Sequence, residues 1–134
     1  MAAQSSLQSL AGFALRLVSG AMFAFHGAQK LFGVLAPPAM RPGIGSQLWF
    51  GGIIELAGGI LIALGLFTRP AALLASGTMA VAYFQFHWKF EMKDWKFLPA
   101  INQGELAALY CFVFLLFAVA GAGTFSIDRL RGKP

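Results

Sequence analysis

The chain has 134 residues, of which 58% are hydrophobic and 16 are glycine, while Asp, Glu, Lys and Arg together supply only 11%. A soluble domain carries about 25% charged residues, so a chain this small could not cover its apolar groups with a polar surface, and much of its solvent must be lipid. The net charge of +5 comes from Lys and Arg scattered at the ends of apolar runs, where they act as headgroup anchors, and this pattern argues against a nucleic-acid partner.

The first apolar segment, residues 10–32, contains Arg16, His26, Gln29 and Lys30. No basic residue precedes it, so it is expected to be a membrane span and not a cleaved signal peptide. Residues 37–46 form a loop by their Pro and Gly content. The second segment, residues 48–67, carries one charge, Glu55. Thr68-Arg69-Pro70 then reads as a tight hairpin, with Thr68 as N-cap and Pro70 in the first helical turn. The third and fourth segments, residues 70–86 and 106–125, are uncharged, and the charge-rich stretch 87–105 lies between them. Each segment approaches the ~20 residues that cross a bilayer, and short connections make neighbouring helices antiparallel. The expected fold is therefore all-α, a single domain over residues 1–134 built as an integral membrane up-down four-helix bundle. Trp49, Trp88 and Trp95 all fall on the long-loop side, as an interfacial aromatic belt requires. Charge does not orient the bundle. Lys30, Arg41, Lys89, Lys93 and Lys96 on the long-loop side balance Arg69, Arg129, Arg131 and Lys133 on the terminal side, with Arg16 close to them.

Helices approach one another in lipid through small residues. Gly51, Gly52, Glu55, Gly58, Gly59 and Gly65 follow helical spacing on the second segment, so the one buried carboxylate is expected to point inward. Gly12, Arg16, Gly20, Phe23, Gly27 and Lys30 form a comparable stripe on the first, with His26 at its edge. Counted from the long-loop end, His26 and Glu55 lie at nearly the same depth at about 1.5 Å per residue. Gln85 and His87 end the third segment there, and Asn102, Gln103 and Glu105 begin the fourth. Polar groups from all four segments thus converge in one leaflet.

A carboxylate deep in a membrane costs roughly 2.5–3.5 kcal/mol on insertion scales and marks function by default. Facing His26, Glu55 can move protons; alternatively it is a structural group paired with Arg16, Lys30 or the backbone. Lys30 also reads as a snorkelling anchor, whereas Arg16, on the glycine stripe, is expected to face inward. A metal would require His26, His87, Glu55 and Glu105 to meet, and no Glu-x-x-His pair is present, so neither metal nor bis-histidine haem is expected. Asn102 to Glu105 reads as a capping box opening the fourth segment. The Trp- and Lys-bearing stretch from Trp88 reads as an amphipathic piece seated on the membrane surface, or as a dock for a soluble partner. The single cysteine, Cys111, forms no intrachain disulfide and reads as a small core residue. Without a dinucleotide, phosphate-loop, Cys-x-x-Cys or haem-attachment motif, any electron carrier must dissolve in the membrane or belong to a partner. Small-residue stripes left on the outside are compatible with a homo-oligomer.

Three runs share a resemblance: LRLVSGAMFAFHGAQKLFG at 15–33, GGIIELAGGILIALGLFTRPAALL at 51–74 and GAGTFSIDRL at 121–130. Arg followed by His-Gly-x-x-Lys, then Glu with paired Gly and Gly-Leu-x-Thr-Arg, then Gly-x-x-Ser-x-Asp, resembles the DoxX family. The matching positions are Arg16, His26, Gly27, Lys30, Glu55, Gly58, Gly59, Arg69 and Asp128. The resemblance implies a four-helix protein of the bacterial or archaeal cytoplasmic membrane with cytoplasmic termini. It also implies similarity to subunits of thiosulfate:quinone oxidoreductase or to redox-stress and sulfur-handling assemblies. The expected cofactor is then a quinone, with His26 and Glu55 managing protons, Arg16 or Lys30 polarising a carbonyl, and Gln85 and His87 lining the site. Its expected partner is a soluble redox protein. The alternative is a non-catalytic anchor or assembly protein that docks a soluble enzyme through the 87–105 loop. A small-molecule carrier is a third reading, for which four short helices give little room.

Overall fold

The computed structural model describes residues 6–132, and every regular element among them is helical. The helices are α1 (Ser6–Phe32), α2 (Gln47–Leu64), α3 (Thr68–Ala82), α4 (Pro99–Asn102), α5 (Glu105–Ala120) and α6 (Ile127–Leu130). Two of them, α1 and α2, are long and apolar enough to cross a membrane, and α5 is apolar but shorter. Lys133, counted on the terminal side, lies outside the described residues.

Local chemistry sets the ends. Ser46 caps α2 by accepting from the Trp49 N–H at 3.2 Å. Gly65, at φ 69°, closes α2 in the left-handed region, and Leu66 N–H returns to the Leu61 carbonyl at 2.9 Å. This glycine-terminated turn stops the helix three residues short of the expected 67. Gly121, at φ 85°, likewise ends α5 at Ala120, and Gly123 at φ 78° turns the chain again, so 121–125 is not helical. Helix α3 begins at Thr68 and continues beyond Ala82 into a π-helical turn, Tyr83–Trp88, closed by Lys89 N–H to the Phe84 carbonyl at 2.9 Å.

Helices α1 and α2 run antiparallel in backbone contact. A Cβ on Gly27 would sit 2.3 Å from Leu56 N and 2.6 Å from the Gly52 carbonyl oxygen, and one on Gly59 would sit 2.4 Å from Ala24 N. The seven-residue steps Gly20–Gly27 and Gly52–Gly59 are two helical turns each, so the glycines interlock twice along the seam. Helices α3 and α5 form the second close pair: Ser76 Oγ donates to the Cys111 carbonyl at 2.8 Å, and Arg69 Nη1 to the Val119 carbonyl at 2.7 Å. Contact between the pairs is thinner, through α2 with α3 and, least, α1 with α5. Phe23, Ile62, Ala72, Ala75 and Phe114 fill the common core.

One end is closed by the C-terminal segment. Arg16 is wholly buried, and its guanidinium donates to the carbonyls of Ile62 (2.9 Å), Ala63 (3.1 Å) and Phe125. Those first two carbonyls belong to the last turn of α2, where the Ile62 carbonyl also accepts from Gly65 N–H at 3.0 Å and the helix dipole favours a cation. Asp128 does the converse at the start of α3, its carboxylate accepting from Phe67 N–H at 2.9 Å and Thr68 N–H at 2.8 Å. The expected cap, Thr68, is therefore the first helical residue, and the capping oxygens arrive from Asp128. Gly65 is required between them, since a Cβ there would lie 2.1 Å from Arg16 Nη1.

Candidate functional site

The glycine seam also fixes the chemistry at the opposite end. Close approach of α1 to α2 brings Lys30 over Gly52 and beside Glu55, and Lys30 Nζ meets Glu55 Oε1 at 2.5 Å. Glu55 is buried, whereas the Lys30 side chain remains 30% exposed. Of the partners open to Glu55, Lys30 is the one it takes. The second carboxylate oxygen, Glu55 Oε2, is buried and has no hydrogen-bond partner in the structure. Tyr110 Oη on α5 is in the same condition. An unsatisfied buried polar atom costs about 1–3 kcal/mol, so two of them on residues that border one space mark a place where a polar group would be well received.

That space is a cavity of about 950 Å³, reached by α1, α2, α3, the π-helical turn and α5. His26, Lys30, Glu55, Tyr110, His87 and Gln103 supply most of its polar lining, and the rest is largely apolar. Phe23 and Tyr110 line its inner side, and both pack on Phe114 behind them, with ring centroids 4.7 Å (Phe23–Phe114) and 5.3 Å (Tyr110–Phe114) apart. His26 meets the Tyr110 ring edge-on at 6.3 Å. His87 is held by a contact of 3.3 Å between Nδ1 and the Asn102 carbonyl, which can only accept, so Nδ1 carries the proton and Nε2 is the basic nitrogen.

The structure thus gathers four of the six residues expected at the site: His26, Lys30, Glu55 and His87. Gln85 is not among the lining residues; its Oε1 accepts from Gln47 Nε2 at 2.6 Å, and Gln47 is the one that reaches the cavity. Arg16 is the larger correction. It does face inward, but fourteen residues from Lys30, or about 21 Å along α1, and its donors serve the α2 carbonyls. It cannot polarise a group bound near Glu55. The capping box also fails to form: Gln103 adopts φ 60° and Gly104 becomes the N-cap of α5. Asn102 instead ties the loop together, donating to Tyr83 Oη (3.1 Å) and the Lys96 carbonyl (2.9 Å) and accepting from Gly104 N–H.

Tyr110 is the residue that sequence reasoning passes over. It sits in an uninterrupted apolar run, where a tyrosine reads as one more packing aromatic. Among the described residues no group of three or more His, Cys, Asp and Glu is placed to hold a metal ion.

A DoxX family profile matches residues 11–88. An uncharacterized protein of Haemophilus influenzae is 43% identical over 119 residues, covering 86% of each chain. The inner membrane protein YqjF of Escherichia coli is 34% identical over 85 residues, covering 60% of this chain and 58% of that one. No solved structure matches the chain.

Proposed function

The chain belongs to the DoxX family, and from that premise we propose that it is an integral protein of the bacterial cytoplasmic membrane that binds a quinone between its helices. Its outer surface supports a lipid setting: Leu109, Phe112 and Val119 of α5, which is uncharged beyond Glu105, are 63–70% exposed, and Leu73 and Leu74 of α3 stand out similarly. In water each such side chain would forgo about 1.5–3 kcal/mol of burial. With α3 extended through the π-helical turn to about 30 Å, α1, α2, α3 and α5 make an up-down bundle with both termini at the Arg16–Asp128 end. The E. coli relative's description as an inner membrane protein supports the location, and the family resemblance puts that end in the cytoplasm.

The observation that carries the quinone reading is the pair of buried, unpartnered atoms, Glu55 Oε2 and Tyr110 Oη, at the polar end of an otherwise apolar cavity. A quinone supplies two-electron, two-proton redox chemistry when bound. The residues present suit its head: Tyr110 Oη can donate to a carbonyl, and Glu55, held by Lys30, can keep or release a proton at Oε2. His26 stands against the Tyr110 ring, and His87, its Nε2 basic, lines the cavity at the end of α3. The buried aromatic wall excludes water from the inner side. Electrons must come from a partner, for which a soluble redox protein is the natural class.

Titration of purified protein with a quinone tests this reading. The wild type is expected to bind, and Glu55→Gln, His26→Ala and Tyr110→Phe each to weaken binding about tenfold or more; unchanged binding in all three would sink it.

A second reading has its own observation. Phe90, Met92 and Trp95 are about two-thirds exposed on the loop between the π-helical turn and α4, where Lys96 pairs with Glu91. Such a surface can dock a soluble enzyme. Replacing Lys89 and Lys93 would then abolish recovery of that enzyme while Glu55→Gln leaves it intact.

A further inference from the structure

The cavity does not stop at its polar end. From the level of Glu55 and Tyr110, where Ser76 reaches the Cys111 carbonyl, it runs on along α3 as far as Pro70, about 10 Å further. No charged residue lines this stretch, and Leu73 and Leu74 on its rim are exposed. A glycine keeps its entrance open. A Cβ on Gly77 would meet no atom within 4 Å, although the residue lies inside a helix and lines the cavity. Glycine therefore does opposite work in the bundle: between α1 and α2 it lets backbones touch, and on α3 it leaves unfilled space.

We propose that this groove seats the first part of the isoprenoid chain of the ligand, admitted sideways from the hydrocarbon layer between α2 and α3, and that Gly77 determines which chains fit. The inference rests on the quinone reading of the polar cluster and adds the path and the selectivity. Three observations select this occupant. The space is polar at one end and apolar along the rest, which suits an amphipathic molecule and not a water-soluble one. Its polar end is charge-balanced, because the one lysine there is committed to Glu55. A neutral, carbonyl-bearing head therefore matches it better than the phosphate of a phospholipid. Finally, about 10 Å of apolar wall beyond the polar end gives room for the first isoprene units of a chain whose remainder lies in the hydrocarbon layer.

The test compares two quinones with the same ring, one carrying a long isoprenoid chain and one carrying a methyl group in its place. Each is titrated into purified protein in nanodiscs of phosphatidylcholine. The readout is the variant-to-wild-type affinity ratio for each quinone, so that partition into lipid cancels. Gly77→Leu adds a side chain into open space on a helix that prefers Leu to Gly, so the variant should fold. It is expected to weaken the long-chain quinone at least tenfold and to leave the methyl quinone within twofold. Equal loss of both quinones, or loss of neither, overturns the groove assignment while the headgroup reading stands. A wild type that binds neither quinone overturns the quinone reading itself, and the groove assignment falls with it.

Discussion

Arg16 and Asp128 cap opposite sides of the same turn. The guanidinium supplies donors to the last carbonyls of α2, and the carboxylate supplies acceptors for the first N–H groups of α3. The two residues complement the two helix dipoles that meet there, and Asp128 N–H also binds the Gly65 carbonyl at 2.8 Å. The family resemblance rests in part on these two positions, and their place in the fold gives them a structural task at the far end from Glu55.

Replacing Arg16 should therefore damage stability and spare the site. In Arg16→Met the carbonyls of Ala63 and Phe125 lose the guanidinium in a buried setting and that of Ile62 keeps only Gly65 N–H, a loss on the order of 3 kcal/mol. Thermal unfolding in detergent should show a clear drop in midpoint, while the protein that remains folded binds quinone with wild-type affinity. A selective loss of binding in a fully stable variant would return Arg16 to the site.

Asp128 gives a pH signature. Burial pushes its carboxyl up, but the N–H groups of Thr68 and Phe67 and the charge of Arg131 outweigh this and hold it below its ordinary value of 3.8. A depressed acid contributes stability that is complete above its unfolded value and is lost as pH falls through the folded one. Protection of the 121–132 segment from proteolysis should therefore hold down to about pH 4 and fail below it. In Asp128→Ala protection should already be weaker at neutral pH, by the ~0.5–2 kcal/mol of a lost cap, with this acid step removed.

The glycines divide into two classes that substitution by alanine separates. Gly27→Ala and Gly59→Ala place a Cβ against backbone atoms that cannot yield, so they should force α1 from α2, loosen Lys30 from Glu55 and lower the unfolding midpoint. Gly12→Ala and Gly58→Ala meet open space and should be neutral or stabilising, by up to about 1 kcal/mol from helix propensity. Equal effects in both classes would show that the seam does not hold the pair together.

Tyr110→Phe separates folding from binding. The hydroxyl it removes has no partner, so without ligand the variant should be as stable as the wild type or more so, by about 1 kcal/mol. Its quinone affinity should nevertheless fall about tenfold. Loss of stability in the ligand-free variant would mean that the hydroxyl is a structural group.

Much of this was legible in the residues. The glycine spacing on the first two segments marks the faces that meet, and Glu55 shares the stripe that turns inward. Its partner was not legible, because Arg16 and Lys30 sit on the same stripe and only the antiparallel seam decides that Lys30 comes level with Glu55. Arg16 was misplaced for a related reason: backbone carbonyls at a helix end have no sequence signature, so a cation that caps them looks like one awaiting a carboxylate. Tyr110 stayed hidden because α5 is apolar all round and has no periodicity to mark its inner face. The early end of α5 was written in Gly121 and Gly123, two residues that an apolar count treats as part of the span.

The central claim is that the polar end of the cavity holds a quinone. Native mass spectrometry of the protein extracted in its own lipids measures this most directly. A wild-type species carrying the mass of one quinone is expected, strongly depleted in Glu55→Gln and in Tyr110→Phe. A wild-type protein that carries only phospholipid, from an extract in which quinone is plentiful, would contradict it.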